Sequence, residues 1–245
     1  MRGSNEVLCQ LKERKSVRVF SGRPVGKEKQ RLILQAAAEA PTAGNQQLYS
    51  ILRITDPELK RALSVACDNQ PFIATAPLVL IFVADCLFWR DFYRLCGASP
   101  RKPEAGDLML AVTDACIAAQ NTVVAAHSLG LGSCYIGDIM ENCEQIRTLL
   151  DLPDYTFPCA MLVFGYPAKS QLKRKKPERF RLDDTVFENR YVPRDPETLR
   201  KMFSAKIPAN VDPDKWGTAF CERKYDSAFS VEMQRSVRKY LDQYS

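Results

Sequence analysis

Apolar positions recur with helical period over residues 27–40, where Leu32, Ile33, Ala36, Ala37 and Ala40 share one face and Pro41 stops the run. A shorter helix is expected over residues 5–14, capped by Ser4 or Asn5, with Val7, Leu8 and Leu11 on one side. An extended piece at 17–20 and a turn at 22–24 follow, then a strand at 48–54 and a helix at 57–66. Residues 77–84 are continuously apolar and β-branched, as a strand buried on both faces would be. Residues 108–128 are apolar all round, which places a helix at the centre of a core, with Gly130 and Gly132 as its stop. A strand at 133–136, a helix at 143–150 and a buried strand at 159–165 complete the body. Strands and helices mix without a regular βαβ beat, so the fold class is α+β or an irregular α/β.

From Val192 the pattern changes. Pro193, Pro196, Pro208 and Pro213 break the chain into short pieces, and an amphipathic helix closes it at 229–244. The expected organisation is a domain over 1–191 and a C-terminal extension over 192–245. With few apolar residues of its own, the extension would wrap the body or a second subunit.

The 245 residues, 46% of them apolar, suffice for one substantial core. The longest uninterrupted apolar run, Ala76–Ala84, is too short to cross a bilayer, and residues 1–18 do not resemble a secretory leader. A soluble, cytoplasmic protein is expected. Nine cysteines without a CxxC pair, beside a single histidine, read as reduced thiols, most of them small buried hydrophobes, and not as a metal site. Of the net charge of +6, the segment 173–181 carries +5 through Lys173, Arg174, Lys175, Lys176, Arg179 and Arg181 against Glu178. Such a patch suits nucleic acid, an anionic membrane or the phosphate of a small ligand.

Walker, GxSxG and HExxH motifs are missing, and His127 reads as a helix-end histidine near the carbonyl dipole. Any enzymatic chemistry would therefore rest on a cofactor. Three polar clusters could hold one. Arg14, Ser16 and Arg18, with Lys15 among them, combine charge, a hydroxyl and a guanidinium fork suited to phosphate. The small-residue loop Pro41-Thr42-Ala43-Gly44-Asn45-Gln46-Gln47 offers three consecutive amides to a planar heterocycle. The stretch from Gly130 to Gly137 combines close-approach glycines with Tyr135 and Ile136.

The order of these pieces resembles the FMN-dependent nitroreductase family, in particular its larger oxygen-insensitive nitroreductase and flavin-reductase-like branch. The RKSVR run with Phe20 after it, PTAGNQQ, NQPFIATAP at residues 69–77, and SLGLGSCYIG followed by a buried strand and GYP carry the resemblance, which spans about residues 5–191. It implies a three-layer α+β sandwich around a mixed sheet, a homodimer, and one FMN at each of two interface sites. By the same resemblance Arg14 and Ser16 lie near the phosphate, and Arg18 towards the ribityl chain and the N1/O2 edge of the ring. Asn45, Gln46 and Gln47 match the polar loop, and Gln70 a glutamine beside the isoalloxazine. Tyr135, Ile136, Gly137 and Asp138 match the stretch along the ring, with Lys15 and Asp138 at variable positions. The family's Lys-x-Arg clamp after GYP is met by Lys176 and Arg179 with one extra residue between them, which leaves Arg174, Lys175 and Arg181 as substitutes.

The implied activity is NAD(P)H-dependent, ping-pong two-electron reduction of nitroaromatics, quinones or flavins. The alternatives are another acceptor (an enone, azo or halogenated compound), or a non-catalytic protein that uses the 173–181 patch. Basic residues of the tail, Arg194, Arg200, Lys201, Lys206, Arg223 and Lys224, point to NADPH over NADH. Neither nucleic acid nor membrane is expected as a partner, since only Phe180 in the patch could stack on a base.

Overall fold

The structure, a computed structural model, describes residues 5–245. The N-terminal helix α1 (Glu6–Glu13) is capped by Asn5, whose side chain accepts from the Leu8 N–H at 3.0 Å; Ser4, the other expected cap, lies outside the described residues. Then come α2 (Lys27–Ala38), β1 (Tyr49–Ile54), α3 (Pro57–Ala66), α4 (Pro71–Thr75), β2 (Leu78–Asp85), α5 (Phe88–Leu95), α6 (Ala105–Ser128), β3 (Gly132–Ile136), α7 (Cys143–Leu150) and β4 (Thr156–Gly165). The chain ends with α8 (Lys169–Lys173), α9 (Leu182–Thr185), α10 (Pro196–Ser204), α11 (Pro213–Lys224) and α12 (Ala228–Leu241). The sequence pattern does not predict α5, nor α4, whose five residues are too brief to establish a helical period.

The strands form one sheet in the order β1-β2-β4-β3, every neighbouring pair antiparallel. Where a mixed sheet was expected, parallel pairing among the described residues is confined to a single bridge between Ser16 and Ser133. Alternation along β2 divides its side chains between two cores. Leu78, Leu80, Phe82 and Ala84 join Leu162 and Phe164 of β4 against α2 and α6. Val79, Ile81 and Val83 join Met161 and Val163 against Leu63 of α3, Ile73 of α4 and Ile146 of α7. These are the helix, sheet and helix layers of the expected α+β sandwich.

By length and composition α6 could cross a membrane, but its Ala111, Ala115, Ala118, Ala119 and Ala126 are fully buried in the first core. Small side chains there let the helix lie close to the sheet. On the far side of β3 the segment after α1 runs so close that a Cβ on Gly132 would come within 2.5 Å of the Val17 side chain. Glycine is therefore a steric requirement of the contact that carries Ser16 and Arg18.

The chain divides into two compact units, Lys175–Val231 and the remainder, which includes Glu232–Ser245. The division falls on either side of the boundary expected at 191/192. Within the main unit the last helix packs tightly. Tyr240 is fully buried edge-on to Phe157 at 5.0 Å, and the Cys143 N–H donates to the Ser236 hydroxyl at 2.9 Å. None of the helices within the second unit, α9, α10 and α11, has a buried residue. Leu182, Val186, Tyr191 and Tyr225 lie open, and Phe180 meets Phe203 edge-on at 5.1 Å.

No disulfide links the described cysteines. Cys67, Cys134, Cys143 and Cys159 are buried, Cys9 and Cys86 half-buried, and Cys96, Cys116 and Cys221 exposed, so fewer are core residues than expected.

Candidate functional site

Arg14 ends α1, and from there the chain becomes extended along the free edge of β3, where the Val17 N–H donates to the Ser133 carbonyl at 2.9 Å. Beside it lies a cavity of about 230 Å³ lined by Arg14, Lys15, His127, Ser133 and Gln171, among others. The Lys15 ammonium donates to the Leu172 carbonyl at 2.9 Å and to that of Arg174, and the Arg174 guanidinium donates to the Ser16 carbonyl. Burial pushes the Cys134 thiol up, while the charges of Arg18, Arg14 and Arg174, together with a hydrogen bond to Ser16, pull it down. Arg14 and Lys15 on the cavity wall, with the Arg174 guanidinium on the Ser16 carbonyl, make a basic surround whose residue types fit a phosphate. His127 sits in the last turn of α6 as expected, but burial lowers its pKa, opposite to the effect of the carbonyl dipole there.

The amide loop lies at the opposite sheet edge, leading into β1; three strand spacings put β1 and β3 roughly 14 Å apart. The loop is organised by Asp114, a buried carboxylate on α6. Its Oδ1 accepts the Ala43 N–H at 3.0 Å; its Oδ2 accepts the Leu48 N–H at 3.2 Å and the Thr42 hydroxyl. The Thr42 oxygen in turn accepts the Gln47 N–H at 2.7 Å. Between these anchors Gly44, Asn45 and Gln47 all have positive φ (57°, 58° and 52°), a region that Gly and Asn enter readily and that is uncommon for Gln. The Gln47 amide donates to the Ala38 carbonyl at 3.2 Å, and the Gln46 carbonyl accepts from the Trp89 indole at 2.7 Å. Asn45 and Gln47 are exposed.

A third group stands at the second core. Gln70 caps α4, its amide donating to the Cys67 carbonyl at 2.9 Å, while Gly137 and Asp138 begin a 3-10 turn (Asp138–Met140) after β3. Glu141, buried just beyond, has its carboxyl pushed up to about 8 by burial, with the charge and hydrogen bonding of Asp138 and the charges of Asp68 and Glu232 adding to it. Ile136 is buried, whereas Tyr135 points to the other face and donates to Gln120 at 3.4 Å.

The structure therefore joins Arg14, Lys15, Ser16 and Arg18 with β3, and sets Asn45, Gln46 and Gln47 apart from them within one chain. Lys176 and Arg179 belong to the second unit, whereas Arg174 lies in the first, at Ser16. Asp114 and Glu141 are absent from the expected set. A signal for Asp114 was present, since it is the one acid in the apolar run 108–128.

Residues 11–166 match the family model described as the Nitroreductase family. The chain is 34% identical over 176 residues to an FMN reductase [NAD(P)H] of Bacillus subtilis, covering 70% of each. It is 34% identical over 197 residues to an oxygen-insensitive NADPH nitroreductase of Salmonella typhimurium, covering 80% of this chain and 78% of the relative. Among solved structures, NfrA2 of B. megaterium superposes with a TM-score of 0.84 at 28% identity, over 97% of this chain and 98% of that one.

Proposed function

The chain belongs to the nitroreductase family, and on that premise we propose that it is an NAD(P)H-dependent FMN oxidoreductase that reduces nitroaromatics, quinones or flavins. The observation that carries this reading is the cavity beside β3, lined by Arg14 and Lys15 and neighboured by Arg174 on the Ser16 carbonyl, a surround suited to a phosphate dianion. Lys15 keeps the Arg174 backbone against that site. Lys176 and Arg179 are further candidates to hold the phosphate. Asn45 offers its amide to the polar edge of the ring; Gln46, Gln47 and Gln70 are further candidates, although each also bonds within the protein. Tyr135, Ile136, Gly137 and Asp138 offer the surface along the ring.

Bound FMN supplies the two-electron centre that protein side chains lack. The chain's own part is to hold the phosphate by charge, to seat the ring against glycine and apolar surface, and to leave one face open. An open face shared by nicotinamide and acceptor in turn makes the kinetics ping-pong.

A homodimer follows from the same reading. The basic segment and the amide loop occupy opposite edges of the sheet, so a second copy would bring one set beside the other. The exposed Leu182, Val186, Tyr191 and Tyr225 supply apolar surface for such an interface. Nine cysteines without a disulfide suit the reducing cytoplasm, where we place the protein.

The test is the visible spectrum of the purified protein. A two-banded flavin spectrum that bleaches with NADPH or NADH and returns with a nitroaromatic or quinone supports the reading. A protein that stays colourless after incubation with FMN overturns it.

A further inference from the structure

We propose that Asp114 is a positioning residue for the cofactor: its carboxylate holds residues 42–48 in a conformation, left-handed at Gly44, Asn45 and Gln47, that presents the Asn45 amide to the flavin. The inference rests on the functional reading above and adds a residue to it.

A carboxylate buried in an apolar helix is costly unless every acceptor position is met, and an apolar side chain of similar size is usually at least as stable there. Core packing alone therefore gives no reason for an acid at position 114, between Ala111 and Ala115 on the buried face. The three donors that meet it all come from one loop: the Thr42 hydroxyl and the N–H groups of Ala43 and Leu48. Thr42 passes the restraint on by accepting the Gln47 N–H.

These bonds pin both ends of a loop whose interior contributes nothing to the core, since Gly44, Asn45 and Gln47 are exposed. What they stabilise is its conformation, with positive φ at Gly44, Asn45 and Gln47. Such backbone persists only where the surroundings over-determine it, and it concentrates at ligand clamps. The neighbouring amides are already engaged, Gln47 on the Ala38 carbonyl and Gln46 towards the Tyr93 hydroxyl at 3.5 Å. Asn45, at the centre of the strained turn, is the side chain this frame leaves for a ligand.

The experiment compares wild type, Asp114→Asn and Thr42→Val by FMN titration of the deflavinated chains, visible circular dichroism of the bound flavin, and amide exchange at Ala43, Gln47 and Leu48. In Asp114→Asn an NH2 group faces donors where a carboxylate oxygen accepted, and hydrogen bonds to charged groups are the stronger ones. We expect a dissociation constant raised about tenfold or more, an altered flavin band and faster exchange at the three amides, with cooperative unfolding retained. Thr42→Val should show a smaller shift in the same direction, and it decides the matter if Asp114→Asn does not fold. Folded variants with wild-type affinity and flavin band overturn the proposal even if exchange is faster, because the role is then structural only. A wild-type chain that takes up no FMN overturns the functional reading and the ligand named here. The exchange data, which need no flavin, separate that failure from a loop that Asp114 does not hold.

Discussion

The Asp114 carboxylate of α6 accepts the hydroxyl hydrogen bond of Thr42, and through it the first core is tied to the amide loop at the edge of the sheet. Helix α6 serves two candidate regions at once. Asp114 holds the loop, and six residues on, about 9 Å along the axis, Gln120 meets the Tyr135 hydroxyl. Displacing α6 would therefore disturb both regions together.

Replacing Arg14 or Arg174 by Ala should weaken FMN binding roughly tenfold or more, by loss of one charge-assisted contact. Neither side chain is buried, so the melting temperature should change little. Flavin occupancy after exhaustive dialysis reads the effect, and full occupancy in both variants would remove them from the phosphate site.

Glu141 sets a pH dependence of stability. Its folded pKa of about 8 lies above the ordinary carboxylate value of 4.5, so between these values the folded state holds more protons than the unfolded one. Stability should fall as pH rises through this window and level off above it. Glu141→Gln should flatten that slope in urea unfolding between about pH 5 and about pH 9; an unchanged slope would place its origin elsewhere. At the acid end, Glu144 and Glu232 are held down at about 2 by Arg235, so their contribution is present above about 4.5 and lost as pH falls through about 2.

Tyr240→Ala should cost about 3–5 kcal/mol in urea unfolding, because it opens a cavity against Phe157 in the first core. Tyr240→Phe should leave stability unchanged or slightly raised, since burial and the ring contact survive and the hydroxyl is buried without a hydrogen-bond partner among the described residues. Equal losses in the two variants would mean that the hydroxyl, not the ring, anchors the last helix.

Sedimentation velocity should give a species of twice 27.7 kDa that persists on dilution with FMN bound. A monomer that retains flavin would show that one chain completes the site.

Much of the body was legible in the chain itself. The helices at 57–66 and 143–150 appear with the expected bounds, and the apolar runs behind β2, α6 and β4 sit at the centre of the fold. Burial against a period of 2 or 3.6 leaves a local record in the sequence, so these elements could be read one at a time. The cluster Arg14, Lys15, Ser16 and Arg18 also stands out in the chain, as the residue types that the proposed phosphate site would use. In the second unit the cues were present but read differently: Asp195-Pro196 and Asp212-Pro213 are helix caps followed by a first-turn proline, not breaks. The structure alone decided the antiparallel pairing of the sheet, the return of α12 to the main unit and the placing of Arg174 at Ser16. It also revealed that Asp114 and Thr42, 72 positions apart, share one hydrogen bond. Such pairings depend on where distant segments come to rest, and no local period records them. Asp114 was visible as a lone acid in an apolar helix, but the loop that meets its charge appears only once the chain has folded.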